Sequence, residues 1–134
     1  MRRIFFALTV AWSVALLLSS SAAADDSLEV VRIAKIWDKA PHNAFTDLVY
    51  YQQQWACAFR EAPAHKGGVN DSRVRVIFSS DGEQWESAAS FEDPRGDIRD
   101  AKFGLLPDGG ILLLTATQFF DTSQQRHQSL AWSS

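Results

Sequence analysis

The sequence has a single cysteine, Cys57, and so cannot form an internal disulfide. Its neighbours in residues 55–59 are apolar, and no histidine or basic cluster adjoins it, which indicates a small buried residue rather than a catalytic thiol. An excess of positive charge is also missing, since 13 basic and 16 acidic side chains give a net charge of −3. No electrostatic attraction to nucleic acid or to an anionic membrane is therefore expected. Nothing in the chain has the spacing of metal ligands, and no metal or cofactor is predicted.

Residues 1–24 have the composition of a secretory signal peptide. Arg2 and Arg3 precede an apolar stretch of about 15 residues, and a small-residue segment follows that ends at Ala24. The apolar stretch is shorter than the roughly 20 residues of a membrane-spanning helix, which disfavours an uncleaved anchor. We therefore expect cleavage after Ala24 and export to the periplasm or the cell exterior, with no membrane attachment afterwards. Cleavage removes two basic side chains and changes the net charge from −3 to −5.

Helical periodicity is almost absent after the signal segment, and short apolar runs recur instead. The runs are bounded by Gly, Asp, Pro, Asn or Gln and lie at 28–36, 45–51, 54–60, 73–79, 85–91, 101–106, 111–117 and 128–133. Eight short strands separated by turns predict an all-β architecture. Residues 25–41 are interpreted as a lead-in strand or linker, and 42–134 as the folded part.

Two Asp-Gly turns are predicted to close β-hairpins. Residues 79–85 read Ser-Ser-Asp-Gly-Glu-Gln-Trp, in which Gly82 tolerates a positive φ and Asp81 can accept backbone hydrogen bonds. Trp85 follows the turn and can fold its indole over the hairpin. The second turn, at residues 106–110, reads Leu-Pro-Asp-Gly-Gly and predicts that the strands on either side of it pair.

The two halves of the folded part suggest an internal repeat. The offset from Asp47 to Asp100 is 53 residues, and the offset from Ser79 to Ser133 is 54. A repeat of about 50 residues with four strands has the size of one propeller blade. The predicted units are 42–95 and 96–134, the second incomplete, and a β-sandwich with a chance repeat is the alternative.

Residues 79–85 resemble the Asp-box of the sialidase (neuraminidase) superfamily, also called the BNR repeat. The resemblance covers the chain from about residue 42 and implies a six-bladed β-propeller of which about two blades are present, so the chain is interpreted as an N-terminal fragment. It also implies that the Asp-box is structural and lies on the outer edge of a blade, away from any pocket. The Asp-box positions are Ser79, Asp81, Gly82 and Trp85.

The resemblance implies that a cluster of arginines holds a substrate carboxylate and that an aspartic acid transfers protons. A tyrosine nucleophile with its glutamate and further arginines would lie beyond Ser134. Thr46 stands where the family has its first arginine, which is a departure from the pattern. The candidate catalytic residues are Asp71 and Asp47, and the candidate substrate-binding residues are Arg60, Glu61, His65, Arg99 and Asp100.

Each candidate has a structural alternative. Arg60 and Glu61 can form a solvated ion pair at a strand end, Asp71 can cap a turn, and His65 can be an ordinary polar loop residue. Asp47 can take part in a salt bridge between blades, together with Arg99 and Asp100. The segment 62–72 is long for a hairpin connection, which favours a binding loop.

Two functions from different classes remain open. One is an exported sialidase-like glycoside hydrolase acting on terminal sugars of extracellular glycans, inactive as this truncated chain. The other is a non-catalytic propeller that binds carbohydrate or protein, which Thr46 favours. The expected partner is a glycan or other carbohydrate, with no nucleic acid and no membrane.

Overall fold

A computed structural model describes residues 28–68, 70–120 and 126–134 of the chain. The signal peptide predicted for residues 1–24 lies outside the described residues. Residues 34–134 form one compact unit, and the described residues before it, 28–33, are exposed and have no regular structure. In the described part of the chain all regular structure is β-strand, which confirms the all-β fold class.

Seven strands form two antiparallel sheets in which every strand pairs with its neighbour along the chain. The first sheet has the order β1-β2-β3-β4 and the second has the order β5-β6-β7. Each sheet lies within one of the two predicted repeat units. The strands are β1 (His42–Tyr51), β2 (Gln54–Ala62), β3 (Arg73–Ser79), β4 (Glu86–Phe91), β5 (Gly96–Leu105), β6 (Ile111–Phe119) and β7 (Arg126–Ser133).

The strand predicted at 28–36 is wrong, because residues 28–41 contain no strand. Leu28, Val31 and Ile33 are at least 90% exposed, so these apolar side chains have no sheet to pack against. The start of β5 was missed for the opposite reason. Residues 96–99 include the charged Asp97 and Arg99, yet they are paired with β6 and at least partly buried.

The core lies between the two sheets and continues behind the first one. Ala58 and Val76 of the first sheet pack against Ile98 and Leu113 of the second. Behind the first sheet, Cys57, Phe59 and Ile77 form a smaller cluster with Trp37 and Trp85. Each fully buried isoleucine contributes roughly 1.5–3 kcal/mol. β2 and β3 are therefore covered on both faces.

Cys57 is buried and free, as predicted. Burial, with a smaller contribution from the charge of Asp47, raises the pKa of the Cys57 thiol from 9.0 to about 11. The thiolate is therefore scarce at neutral pH, which makes this side chain a small apolar core residue.

The hairpin predicted at residues 79–85 joins β3 to β4 and is confirmed. The Asp81 carboxylate accepts the backbone N–H groups of residues 83 and 84, both at 2.8 Å, and the Ser79 hydroxyl. These donors lower the pKa of Asp81. Gly82 has φ +76°, and its carbonyl accepts the Trp85 indole N–H at 3.1 Å. The half-buried Trp85 ring then closes the cluster behind the first sheet.

The second predicted hairpin, at residues 106–110, joins β5 to β6 and is likewise confirmed. The Leu106 N–H donates to the Gly110 carbonyl at 2.9 Å, and the Gly109 N–H donates to the Leu106 carbonyl at 3.0 Å. Gly109 has φ +87°, which only glycine adopts without strain.

The two sheets share a β-bulge near the start of their first strands. In β1 the bulge lies between Ala44 and Asp47, with Phe45 at φ +58°, and in β5 it lies between Arg99 and Lys102, with Asp100 at φ +56°. When the two bulges are superimposed, Phe45 is equivalent to Asp100, and Asp47 is equivalent to Lys102. The predicted correspondence of Asp47 with Asp100 is therefore wrong by two residues, because sequence matching does not account for where each bulge falls.

Asp93, in the turn between the sheets, makes stability depend on pH. Its buried carboxylate accepts hydrogen bonds from Arg95 Nε at 2.8 Å, Arg95 Nη2 at 2.7 Å and the Thr117 hydroxyl at 2.9 Å. Chiefly the Arg95 hydrogen bond lowers the pKa of Asp93 from 3.8 to about 2. A lowered folded-state pKa contributes stability that is complete above about pH 4 and is lost as the pH falls through 2.

Between pH 4 and pH 2, Asp93 should lower the free energy of unfolding of the parent chain by about 1–2 kcal/mol, and we expect the Asp93→Asn variant to lack this decrease. The decrease is modest because the half-exposed Arg95 is partly screened by solvent. Urea unfolding measured at pH 7, 5, 4, 3 and 2 checks this, with the exposed Asp38→Asn variant as the control. An unchanged pH profile in Asp93→Asn would show that other carboxylates govern acid unfolding.

Candidate functional site

Four segments meet at one end of the two sheets. They are the start of β1, the end of β2, the loop 63–72 and the start of β5. Ser72 at the end of the loop accepts the Ile98 N–H of β5 at 3.0 Å, and His65 in the loop lies against Phe45 of β1, with ring centroids 5.9 Å apart. Several of the predicted site residues are on these segments.

Arg60, Asp97 and Arg99 form a charged cluster between the sheets, which we call the arginine junction. Arg60 Nε donates to Asp97 Oδ1 at 2.8 Å, and Arg99 Nη2 donates to Asp97 Oδ2. Arg60 Nη1 also donates to the Ala64 carbonyl at 3.1 Å. The side chains of Arg60 and Asp97 are completely buried, whereas Arg99 is 17% exposed.

Asp97 is ionised in this setting. Its burial opposes the charge, but hydrogen bonds from Arg60, Ser72 and Arg99, with the charge of Arg60, outweigh that cost and lower the pKa of Asp97. Sequence reasoning missed Asp97. The signal was available, because Asp97 and Arg99 are two residues apart on one strand and so share a face.

The loop 63–72 closes directly over the arginine junction. A side chain at Gly67 would bring its Cβ within 2.5 Å of Arg60 Nη2, 2.8 Å of Asp71 Oδ1 and 3.0 Å of Asp97 Cγ. The buried Arg60 Nη2 and Arg99 Nε have no hydrogen-bond partner among the described residues. Arg60 joins the two sheets through its ion pair with Asp97. Because Gly67 lies against the completely buried Arg60 side chain, Arg60 is not exposed to a ligand.

Asp71 and His65 occupy structural positions in the loop. The Asp71 carboxylate accepts the Gly68 N–H at 2.6 Å, which is the turn-capping arrangement. His65 packs edge-on against His42, with ring centroids 5.4 Å apart, and the Arg99 guanidinium lies 5.9 Å from the centroid of the Phe45 ring.

Asp47 does not join the arginine junction. Its carboxylate accepts the Phe103 N–H at 2.7 Å and lies 3.5 Å from Lys102 Nζ, so it ties β1 to β5 farther along both strands. Asp100 is exposed at the bulge of β5. The predicted convergence of Asp47, Arg99 and Asp100 is therefore wrong, and Asp97 is the carboxylate that Arg99 contacts.

Glu61 points to the face of β2 opposite Arg60, because successive side chains of a strand alternate. Its Oε1 accepts the Trp37 indole N–H at 2.6 Å, and its Oε2 accepts Arg75 Nε and Nη2 at 3.0 and 2.8 Å. The alternative of a solvated Arg60–Glu61 pair is wrong, since both side chains are buried and each has a different partner.

Glu61 lines an open cavity of about 490 Å³. We call this cavity the tryptophan cleft and define it by Trp37, Lys39, Glu61, Arg73, Arg75 and Ser87. Asp71 also lies at its wall, which places the cleft next to the arginine junction. Among these residues only Glu61 and Asp71 were predicted site residues.

Two cations lie near the indole ring of Trp37. Lys39 Nζ is 4.4 Å and the Arg75 guanidinium carbon is 5.8 Å from the ring centroid. Arg75 Nη1 also donates to the Ser87 hydroxyl at 2.9 Å. Glu61 and Ser87 thus fix Arg75 in one orientation, and the cleft combines an aromatic ring with oriented polar groups.

The described residues contain neither a candidate metal site nor a membrane-spanning helix. Residues 28–68, 70–120 and 126–134 contain no group of three or more His, Cys, Asp or Glu side chains placed to hold a metal ion. Over the same residues, no helix has the length and apolar character needed to cross a membrane. No family model, curated protein or solved structure matches the chain.

Proposed function

We propose that this chain is a non-catalytic, glycan-binding part of an exported, sialidase-like β-propeller, and that the tryptophan cleft binds the glycan. Both sheets are antiparallel meanders, and both have a bulge near the start of the first strand. These two features support the interpretation of the sheets as successive propeller blades. The Asp-box hairpin between the third and fourth strands of the first sheet is in keeping with that architecture.

The observation that carries the binding proposal is the fixed Trp37–Glu61–Arg75 arrangement in an open cavity. A sugar ring has an apolar face of C–H groups and a rim of hydroxyls. It is therefore matched by an aromatic ring beside hydrogen-bonding groups of fixed orientation. A cavity of about 490 Å³ has the size of a typical small-ligand pocket.

The candidate acid and base groups are occupied by structural contacts, which supports binding without catalysis. Asp71 holds the Gly68 N–H, Asp47 holds the Phe103 N–H, and Glu61 accepts three hydrogen bonds from Trp37 and Arg75. A general acid must lie within hydrogen-bonding reach of the bond it protonates. Asp47 and Glu61 are therefore committed to contacts within the chain, and the exposed Asp71 at the cleft wall has one oxygen engaged by the Gly68 N–H.

Binding of the full chain to a panel of immobilised glycans, followed by calorimetry on the best ligand, tests the proposal. We expect Trp37→Phe, which keeps a ring but removes the indole N–H, to weaken binding by about tenfold. The Trp55→Phe variant is the matched control. Trp55 packs beside Tyr50 near the start of β2, whereas Glu61 of the cleft lies near the end of that strand. We expect it to bind like the parent chain.

Two results would count against the proposal. Binding to no glycan on the panel would remove the function altogether. Release of a terminal sugar from a sialoside or another glycoside by the full chain would show that it is a hydrolase and not only a binding protein.

A further inference from the structure

The tryptophan cleft carries an excess of positive charge. Three cations, Lys39, Arg73 and Arg75, line it together with two acidic groups, Glu61 and Asp71. Arg75 is paired with Glu61, and Asp71 lies at the wall with its carboxylate on the Gly68 N–H. Lys39 and Arg73 are therefore the cations most available to a ligand.

Both of these cations can turn to a ligand at little cost. Lys39 has its cation–π contact with Trp37 and no acidic partner within salt-bridge distance in the described ranges. Arg73 faces Glu92 at 3.5 Å, but both side chains are about half exposed, and such surface pairs are weak. An anionic ligand in the cleft would gain these two charges without breaking a buried interaction.

The geometry distinguishes between kinds of anion. A planar carboxylate is bound best by the two-pronged edge of a guanidinium, and the Nε–Nη2 edge of Arg75 is already occupied by the Glu61 carboxylate. The donors that remain come from separate directions. They are the Lys39 ammonium, the Arg73 guanidinium, the outer N–H groups of Arg75 and the Ser87 hydroxyl.

Donors from several directions suit a tetrahedral oxyanion better than a planar one. We infer that the tryptophan cleft binds a sulfated glycan, with the sulfate ester between Lys39, Arg73 and the outer edge of Arg75 and the sugar ring beside Trp37. This inference rests on the proposed glycan-binding function and names the substrate class of the same site. Ser87 is fixed by Arg75 Nη1 and so is oriented toward the same space.

The test compares chondroitin 6-sulfate tetrasaccharide with unsulfated chondroitin tetrasaccharide, which keeps the same backbone and its carboxylates. We expect the full chain to bind the sulfated form at least about tenfold more tightly, with affinity falling as salt increases. A neutral tetrasaccharide, laminaritetraose, is the third arm. Inorganic sulfate is the competitor.

Two double variants distinguish binding in the tryptophan cleft from general electrostatic attraction to the chain. The double variant Lys39→Gln/Arg73→Gln is expected to lose the preference for sulfate, while the matched double variant Lys102→Gln/Arg126→Gln, with the same change in net charge, keeps it. Circular dichroism of both variants confirms that they are folded.

Three results would contradict the inference at different levels. Equal binding of the two chondroitin forms, or better binding of the neutral glycan, overturns the sulfate inference and leaves glycan binding standing. A preference for sulfate that survives in Lys39→Gln/Arg73→Gln overturns the assignment to the cleft. If no glycan in any arm or on the wider panel binds, the proposed function fails together with the inference.

Discussion

Replacing Asp97 with alanine is expected to destabilise the chain by about 3–5 kcal/mol, because the fully buried Arg60 then keeps its charge with no counter-ion. Arg99 also loses the carboxylate that it contacts. Single domains are stable by only about 5–15 kcal/mol, so this loss is a large fraction of the total stability. Urea unfolding followed by tryptophan fluorescence measures the loss.

A second variant separates the loss of a counter-ion from the loss of packing. Arg60→Met/Asp97→Leu replaces both charged side chains with apolar side chains of similar volume. We expect it to recover most of the stability that Asp97→Ala loses. The exposed pair Lys35–Asp38 gives the control, since Asp38→Ala should change stability by less than about 0.5 kcal/mol. If Asp97→Ala behaves like Asp38→Ala, the arginine junction does not hold the sheets together.

Gly96→Ala is the second substitution with a large expected effect, at about 3 kcal/mol. A Cβ at residue 96 would overlap the backbone carbonyl oxygen of Gln118 and come within 2.9 Å of Thr117 Cγ2. Backbone in a paired strand has little freedom to move, so β5 must shift away from β6 where the two strands begin to pair. Thermal unfolding and urea unfolding both measure the cost.

The matched control is Gly104→Ala, at the other end of the same strand. Its Cβ would meet Leu112 Cβ at 3.7 Å, which is an ordinary van der Waals contact. We expect this variant to change stability by less than about 1 kcal/mol. Equal effects of Gly96→Ala and Gly104→Ala would mean that β5 adapts near Gln118 and that the close approach is not a constraint.

Much of the strand pattern is readable from the sequence, because strand-forming runs and Asp-Gly turns are local features. The exceptions follow from contacts over longer distances. Apolar residues at 28–36 predicted a strand, but no neighbouring strand is there to pair with it. The polar start of β5 gave no strand signal, since Asp97 is buried only because Arg60 from another sheet neutralises it.

The candidate site was predictable only in part for a similar reason. Arg60 and Arg99 were both named as candidate binding residues, but their shared partner, Asp97, was not identified. The tryptophan cleft was missed because it depends on the pairing of β2 with β3, where Glu61 lies opposite Arg73 and Phe59 opposite Arg75. A ten-residue loop joins these strands, and its length does not determine the register.

The arginine junction also has a consequence for the order of folding. Each sheet pairs only strands that are neighbours in the chain, so both can form from local hairpins. Arg60 and Asp97 are 37 residues apart and belong to different sheets, and they lose their water only when the sheets dock. We therefore expect docking to be the late step, in which the ion pair has to be dehydrated. Substitutions at the junction should consequently accelerate unfolding more than they slow folding.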